Sequence, residues 1–189
     1  ASFALLAYVS DWLKCHHPVA FYIGLLNSHP MGFYSPSQLI QDARRHHIMV
    51  LPIDVNHSSW DHQILSSADQ QQPPIRLGLR LIKGLSEAAG QRIHTAQRQR
   101  AFANVADLRQ RACLDRGDME ALAAADALSG ISGNRYQSHW QTMALEARRP
   151  LLPHDSAAQR SQDDVAVTAA PTLPEDVVAD YQSTGLTLR

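Results

Sequence analysis

The chain reads as mainly α with a small β element, and three observations lead there. Apolar residues recur at helical spacing over residues 2–28, 36–47 and much of 87–147. Residues suited to capping free helix amides, Ser35 and Asn104, stand just before two of those stretches. Between them lie only short β-compatible pieces separated by polar loops.

Taken in order, Phe3, Leu6, Val9 and Leu13 place one helix over residues 2–17, and Pro18 suits the first turn of a second helix running to Ser28. The pair resembles an antiparallel hairpin of helices. Pro30 and Gly32 mark a turn over 29–35, after which residues 36–47 form a helix capped by Ser35. Val50 with Leu51, residues 63–65 and residues 75–77 are expected strands, with the loop SSADQQQPP between the last two. A short segment then runs from Gly78 to Ile82, Gly84 breaks it, and helices follow over 87–97, from Asn104, over 118–127 and over 135–147. SGISGN punctuates the last two. Beyond Pro150, three prolines and a Ser/Ala/Asp-rich composition read as a linker.

With 189 residues, 44% of them hydrophobic, the chain has material for a real core in one domain or two small ones. No apolar run approaches the roughly 20 residues that cross a bilayer, and the opening ASFALLAYVSDWLK carries Asp11 and Lys14. A protein without a membrane span, in a reducing cytoplasm, is the expectation, since Cys15 and Cys113 stand too far apart for a zinc knuckle. Ala1 opens inside an apolar periodic segment, so the chain is expected to be a piece of something longer.

The net charge of −1 is unevenly spread. Between Ile75 and Arg116 stand nine Lys/Arg (Arg76, Arg80, Lys83, Arg92, Arg98, Arg100, Arg109, Arg111, Arg116) against Glu87, Asp107 and Asp115, a net +6. After Pro153 the sign reverses. Within the basic window, LRLIKGLSEAAGQRI places a short glycine turn before a helix. Such a turn leaves the amides of Gly84, Leu85 and Ser86 for an anion, and the helix adds the positive end of its dipole. Lys83 sits beside them, with Arg76, Arg80 and Arg92 in reach of flanking phosphates. The same KGLS also reads as an ordinary turn between packed helices, with Gly84 needed only for its positive φ.

Four stretches, ASFALLAYVSDWLKCHHP, LLNSHPMGFYSPSQLIQDARRH, GLRLIKGLSEAA and MEALAAADAL, together resemble the end of the fingers and the tandem helix-hairpin-helix domain of bacterial C-family DNA polymerase III α subunits. The NSHPMGFYSPSQLIQDARRH wording is similar to the error-prone, damage-inducible branch. The resemblance implies fingers-end helices over 1–73, a tandem helix-hairpin-helix domain over 74–147, and a linker over 148–189 leading toward an OB-fold domain. It implies sequence-independent binding of duplex, primer-template DNA within a polymerase acting in translesion synthesis and DNA repair, close to the nucleoid. Lys83 to Ser86 form its first hairpin, and a second falls near 114–119 with Arg116 and Gly117 toward phosphate. Asp115 and Asp118 bracket that copy, which favours a structural role for it.

Catalysis in such an enzyme needs carboxylates around Mg²⁺. Asp54 and Asp61 are isolated here, so no catalytic residue is assigned; the resemblance puts the Mg²⁺ site in the palm of the full polymerase, and Lys14, Arg44 and Arg45 among fingers groups near template and nucleotide. Cys15-His16-His17 and His46-His47 are adjacent residues, which point about 100° apart on a helix and do not chelate, so no metal site is expected. The tail LLPHDSAAQRSQDDVAVTAAPTLPEDVV has no aromatic residue to end a sliding-clamp peptide. The resemblance then implies that the clamp is reached only indirectly, through an inactive Y-family polymerase homologue of the mutasome. Two other classes compete: a helix-hairpin-helix repair enzyme using Asp107, and a protein-interaction module whose basic window meets an acidic partner.

Overall fold

The computed structural model describes residues 2–30, 33–65, 72–144 and 170–189; the middle of the turn at 29–35, most of the SSADQQQPP loop, the end of the expected helix at 145–147 and residues 148–169 of the expected linker lie outside the described residues. Helix α1 (Ser2–His16) is followed directly by α2 (Pro18–Asn27), whose first-turn proline lacks an amide that would be unpaired there anyway. Ser35 opens α3 (Pro36–Arg45) with a capping box: its hydroxyl accepts from the Gln38 amide while the Gln38 side chain accepts from the Ser35 amide. Asp42 of α3 joins the three helices, accepting from Lys14 Nζ at 2.8 Å and from the Tyr22 hydroxyl at 2.6 Å. Those two hydrogen bonds hold its carboxyl below the usual range, and burial with the Asp42 contact pushes the Tyr22 phenol up.

The three expected strands are present as two-residue pieces, β1 (Val50–Leu51), β2 (Gln63–Ile64) and β3 (Ile75–Arg76). Their order is β1-β3-β2, with β1 parallel to β3 (Val50 opposite Ile75) and β2 antiparallel to it (Ile64 opposite Ile75). So small a sheet is held by side chains. Asn27 brackets the backbone of His62, its Nδ2 donating to the carbonyl at 3.1 Å and its Oδ1 accepting from the amide at 2.9 Å. Asn56 does the same for Phe102, across 46 positions of sequence.

After a 3-10 turn (Leu79–Leu81) come α4 (Glu87–Gln99), α5 (Val105–Arg111), α6 (Arg116–Ala124), the single-turn α7 (Ser129–Ser132) and α8 (Arg135–Ala144). Their inner faces build the main core, in which Leu79, Ile93, Leu108 and Leu122 are fully enclosed. Burial of each such side chain contributes about 1.5–3 kcal/mol. A smaller cluster of Val19, Tyr22, Ala43, Ile48 and Ile75 seats α2 and α3 on the sheet.

The last described segment departs from its linker-like composition. Residues 173–183 form α9 (Leu173–Ser183), opened by a capping box between Thr172 and Glu175, and Leu186 just beyond it is buried in the main core. Pairing of its acids with buried arginine, described below, supplies what its modest apolar content does not. At the opposite end of the chain, α1 leaves Phe3, Leu5, Leu6 and Tyr8 exposed, Phe3 to 84%.

Candidate nucleic-acid interface

Ile82 and Leu85, both buried, pin the hairpin between the 3-10 turn and α4 to the core, and this leaves Lys83, Gly84 and Ser86 on the surface. The chain reverses at Gly84, whose φ of +85° is a conformation that glycine adopts without strain. The Leu85 amide bonds to the Ile82 carbonyl at 3.4 Å, so of the three amides expected to face an anion this one is spent inside the turn. Gly84 and Ser86 amides have no hydrogen-bond partner among the described residues. The Ser86 side chain caps α4, its oxygen accepting from the Ala89 amide at 3.1 Å. The free amides of the first turn of α4 thus sit beside an exposed glycine turn, a geometry that suits a phosphate oxygen.

The second hairpin is a structural copy of the first, centred a few residues earlier than its expected position. Cys113 takes the place of Gly84 at φ +50°, Leu114 that of Leu85 as the buried anchor, and Asp115 that of Ser86 as cap, accepting from the Asp118 amide at 2.8 Å. Asp118 answers from its own side chain to the Asp115 amide. Two carboxylates at this helix start give it a negative field where the first hairpin has a hydroxyl. Arg116 and Gly117 follow in the first turn of α6, and Arg116 turns to Glu120 Oε1 at 2.7 Å. Further reversals at Asp126, φ +56°, and Gly133, φ +99°, join α6 to α7 and α7 to α8.

Most of the expected cations hold protein groups instead of standing free. Arg80 is a staple: it donates to the carbonyls of Asn27 at 2.7 Å and His29 at 2.9 Å and pairs with Asp61 at 2.8 Å. Arg92 caps the end of α5 through the Ala112 carbonyl at 3.0 Å and reaches Asp118 at 3.3 Å, tying hairpin one's helix to hairpin two. Arg76 donates to the Pro52 carbonyl, Lys14 is held by Asp42, and Arg44 donates to the Leu188 carbonyl. Arg98, in the last turn of α4, and Arg45, at the end of α3, are exposed and have no ion pair among the described residues. Arg98 was legible in the basic window, but its freedom depends on the absence of a carboxylate neighbour in space.

Lys83 has two partners that no local pattern announces. Its Nζ donates to the carbonyls of Tyr181 at 3.1 Å and Gln182 at 2.9 Å, and its amide donates to the Ser183 carbonyl at 2.9 Å. These are the terminal carbonyls of α9, the negative end of that helix. A buried ionic cluster holds the rest of α9: Arg135 of α8 pairs with Asp176 at 2.9 Å and also with Asp180, while Arg189 pairs with Asp126 at 2.9 Å and with Asp176. Thr187 donates to Asp180 at 2.8 Å. Burial pushes the Asp126 carboxyl up against the pull of Arg135 and Arg189. The Thr172-x-x-Glu175 capping signature, with Pro174 in the first turn, was the local sign of this helix.

Asp107 is committed to structure. It accepts from Arg100 at 3.0 Å, Arg111 at 3.2 Å and the Ala103 amide at 3.2 Å. Burial works to raise its carboxyl, and these donors together hold it below the usual range. Among the described residues no group of three or more His, Cys, Asp or Glu side chains could hold a metal ion, and no helix is long and apolar enough to cross a membrane.

Two hairpins that reverse at positive φ, one at Gly84 and one at Cys113, each between helical turns and each anchored by a buried leucine, define a helix-hairpin-helix domain, and residues 47–138 match the family described as "Helix-hairpin-helix motif". Along its whole length the chain is homologous to one segment of the error-prone DNA polymerases. It is 51% identical over 191 residues to the error-prone DNA polymerase of Teredinibacter turnerae, 50% over 206 residues to that of Methylococcus capsulatus, and 52% over 192 residues to that of Ralstonia nicotianae. All of the chain is covered in each case, and it spans 18–19% of the length of these relatives.

Proposed function

We propose that this chain is the part of an error-prone DNA polymerase that holds duplex DNA by its phosphate backbone. One observation carries the reading: Gly84 and Ser86, surface residues of a core-anchored hairpin, present unpaired amides beside the start of α4, inside a window of net charge +6. Such contacts position a duplex without reading bases. The likeness to error-prone polymerases over the full chain supports it. Arg98 adds a cation with no ion pair among the described residues, and the acid-capped second hairpin serves mainly to support the first.

In the same reading the parent enzyme carries out translesion synthesis after DNA damage in the bacterial cytoplasm, with its Mg²⁺ held by residues outside this chain. Recruitment passes through an inactive Y-family homologue that binds the sliding clamp, and the exposed apolar side chains of α1 meet the remainder of the fingers. Titration of a fluorescent random-sequence duplex across salt tests the central point. Affinity is expected to fall linearly on a log–log plot, with a slope of about 0.9 per phosphate neutralised and no dependence on sequence. Binding that ignores salt, or that follows sequence, would exclude backbone recognition.

A further inference from the structure

Lys83 is the residue best placed to meet a phosphate at the first hairpin, yet its three hydrogen bonds all go to the end of α9. Helix carbonyls and phosphate oxygens are the same kind of partner for an ammonium group, since both are acceptors carrying negative charge. We propose that the C-terminal turn of α9 and a duplex phosphate compete for the first hairpin, so that α9 is a built-in latch that must lift from Lys83 for full DNA engagement. The inference rests on the duplex-binding reading above.

Two features make α9 suited to this. Its eleven residues carry Glu175, Asp176 and Asp180 and no Lys or Arg, so it brings no cation of its own to a phosphate at the hairpin. Its seat is divided: the buried Asp176 of the first turn pairs with Arg135 and Arg189, Asp180 of the last turn is held by Arg135 and Thr187, and the carbonyls of Tyr181, Gln182 and Ser183 rest on Lys83. The last turn can therefore separate from an exposed lysine while Asp176 remains buried. A lifted turn would free a cation beside the Gly84 and Ser86 amides, where a single phosphate oxygen could take all of them.

Two experiments on the 189-residue chain test the latch. Asp180→Asn removes a carboxylate that anchors α9 to Arg135 and Thr187, without touching the hairpin. It is expected to bind a random-sequence duplex about three- to tenfold more tightly than the parent, because more of the population has the hairpin open. Should this variant lose its fold by circular dichroism, the parent protein decides the question. Hydrogen exchange at the amides of residues 181–185 is expected to speed severalfold on addition of saturating duplex, while those around Ile93 in α4 stay slow. Lys83→Gln is expected to raise the same exchange without duplex and to weaken binding. Equal affinity of parent and Asp180→Asn, or exchange at 181–185 unmoved by bound duplex, would overturn the latch alone. Absence of binding by both proteins at low salt would take the duplex reading down with it.

Discussion

The ring of Trp60 occupies the space that a Cβ on Gly90 would need: built there, that carbon lies 2.4 Å from the ring Cε3. Gly90 faces inward on α4, and Trp60 packs against the main core from the loop before β2. The contact packs α4 against the loop before β2. Gly90→Ala would gain roughly 1 kcal/mol of helix propensity. Overpacking against an aromatic ring costs about 1–3 kcal/mol or more, so a net loss of stability in urea is expected. Gly24→Ala on α2 is the control: a Cβ there meets nothing within 4 Å, and a gain approaching roughly 1 kcal/mol is expected.

The two copies of the hairpin allow cap and phosphate site to be separated. Ser86→Ala removes the oxygen that caps α4 and is expected to cost about 1 kcal/mol in urea with duplex affinity little changed. Ser86→Asp imitates Asp115 of the second copy. It keeps the cap, so stability is expected to hold, but it sets a carboxylate where phosphate would bind, and affinity is expected to drop about tenfold. If Ser86→Asp binds duplex like the parent, the first hairpin does not receive the phosphate.

Arg135 stands at the centre of the buried cluster, with only 7% of its side chain exposed. Arg135→Ala would take the buried cation from Asp176 and Asp180, leaving Asp176 to Arg189 and Asp180 to Thr187, and a loss of about 3 kcal/mol is expected from chemical unfolding. Arg44→Gln, which removes an exposed donor to the Leu188 carbonyl, is expected to cost no more than about 1 kcal/mol.

His62 predicts how stability follows pH. Burial, helped by the nearby Arg80 charge, depresses its imidazole from 6.5 to about 4, and its Nδ1 accepts from the Gly78 amide at 3.1 Å. Between those two values the unfolded chain takes up the proton and the folded one does not. Stability from this group is therefore intact above about pH 6.5 and is lost as pH falls toward 4, by roughly 3 kcal/mol in all. Urea midpoints at pH 7.5 and 4.5 measure it: His62→Gln should lose less between the two than the parent does.

Much of the architecture was legible because its signals are local. Ser35 with Gln38 and Asn104 before Val105 announce helix starts through bonds spanning three residues. Glycine at 84, a buried Leu85 and a capping Ser86 announce a hairpin in the same way. The position of the second hairpin was harder to read because its reversal is carried by Cys113, a residue that favours no turn, while Gly117 nearby lies inside α6. Residues 173–183 read as linker because their prolines and acids outweigh their apolar residues, and the arginines that neutralise those acids come from α8 and the chain end.

By itself the sequence determined most of the longer helices before the C-terminal segment, that a glycine turn lies in a basic stretch, and the kinship to error-prone polymerases. Only the tertiary structure decided what each cation does. Charge along a chain is additive and can be counted, but whether an arginine faces phosphate or its own protein depends on which carbonyls and carboxylates folding brings within 3 Å or so of it. Arg80, Arg92 and Lys83 look alike in the sequence; one staples α2 to the loop before β2, one joins the two hairpins, and one holds the end of α9.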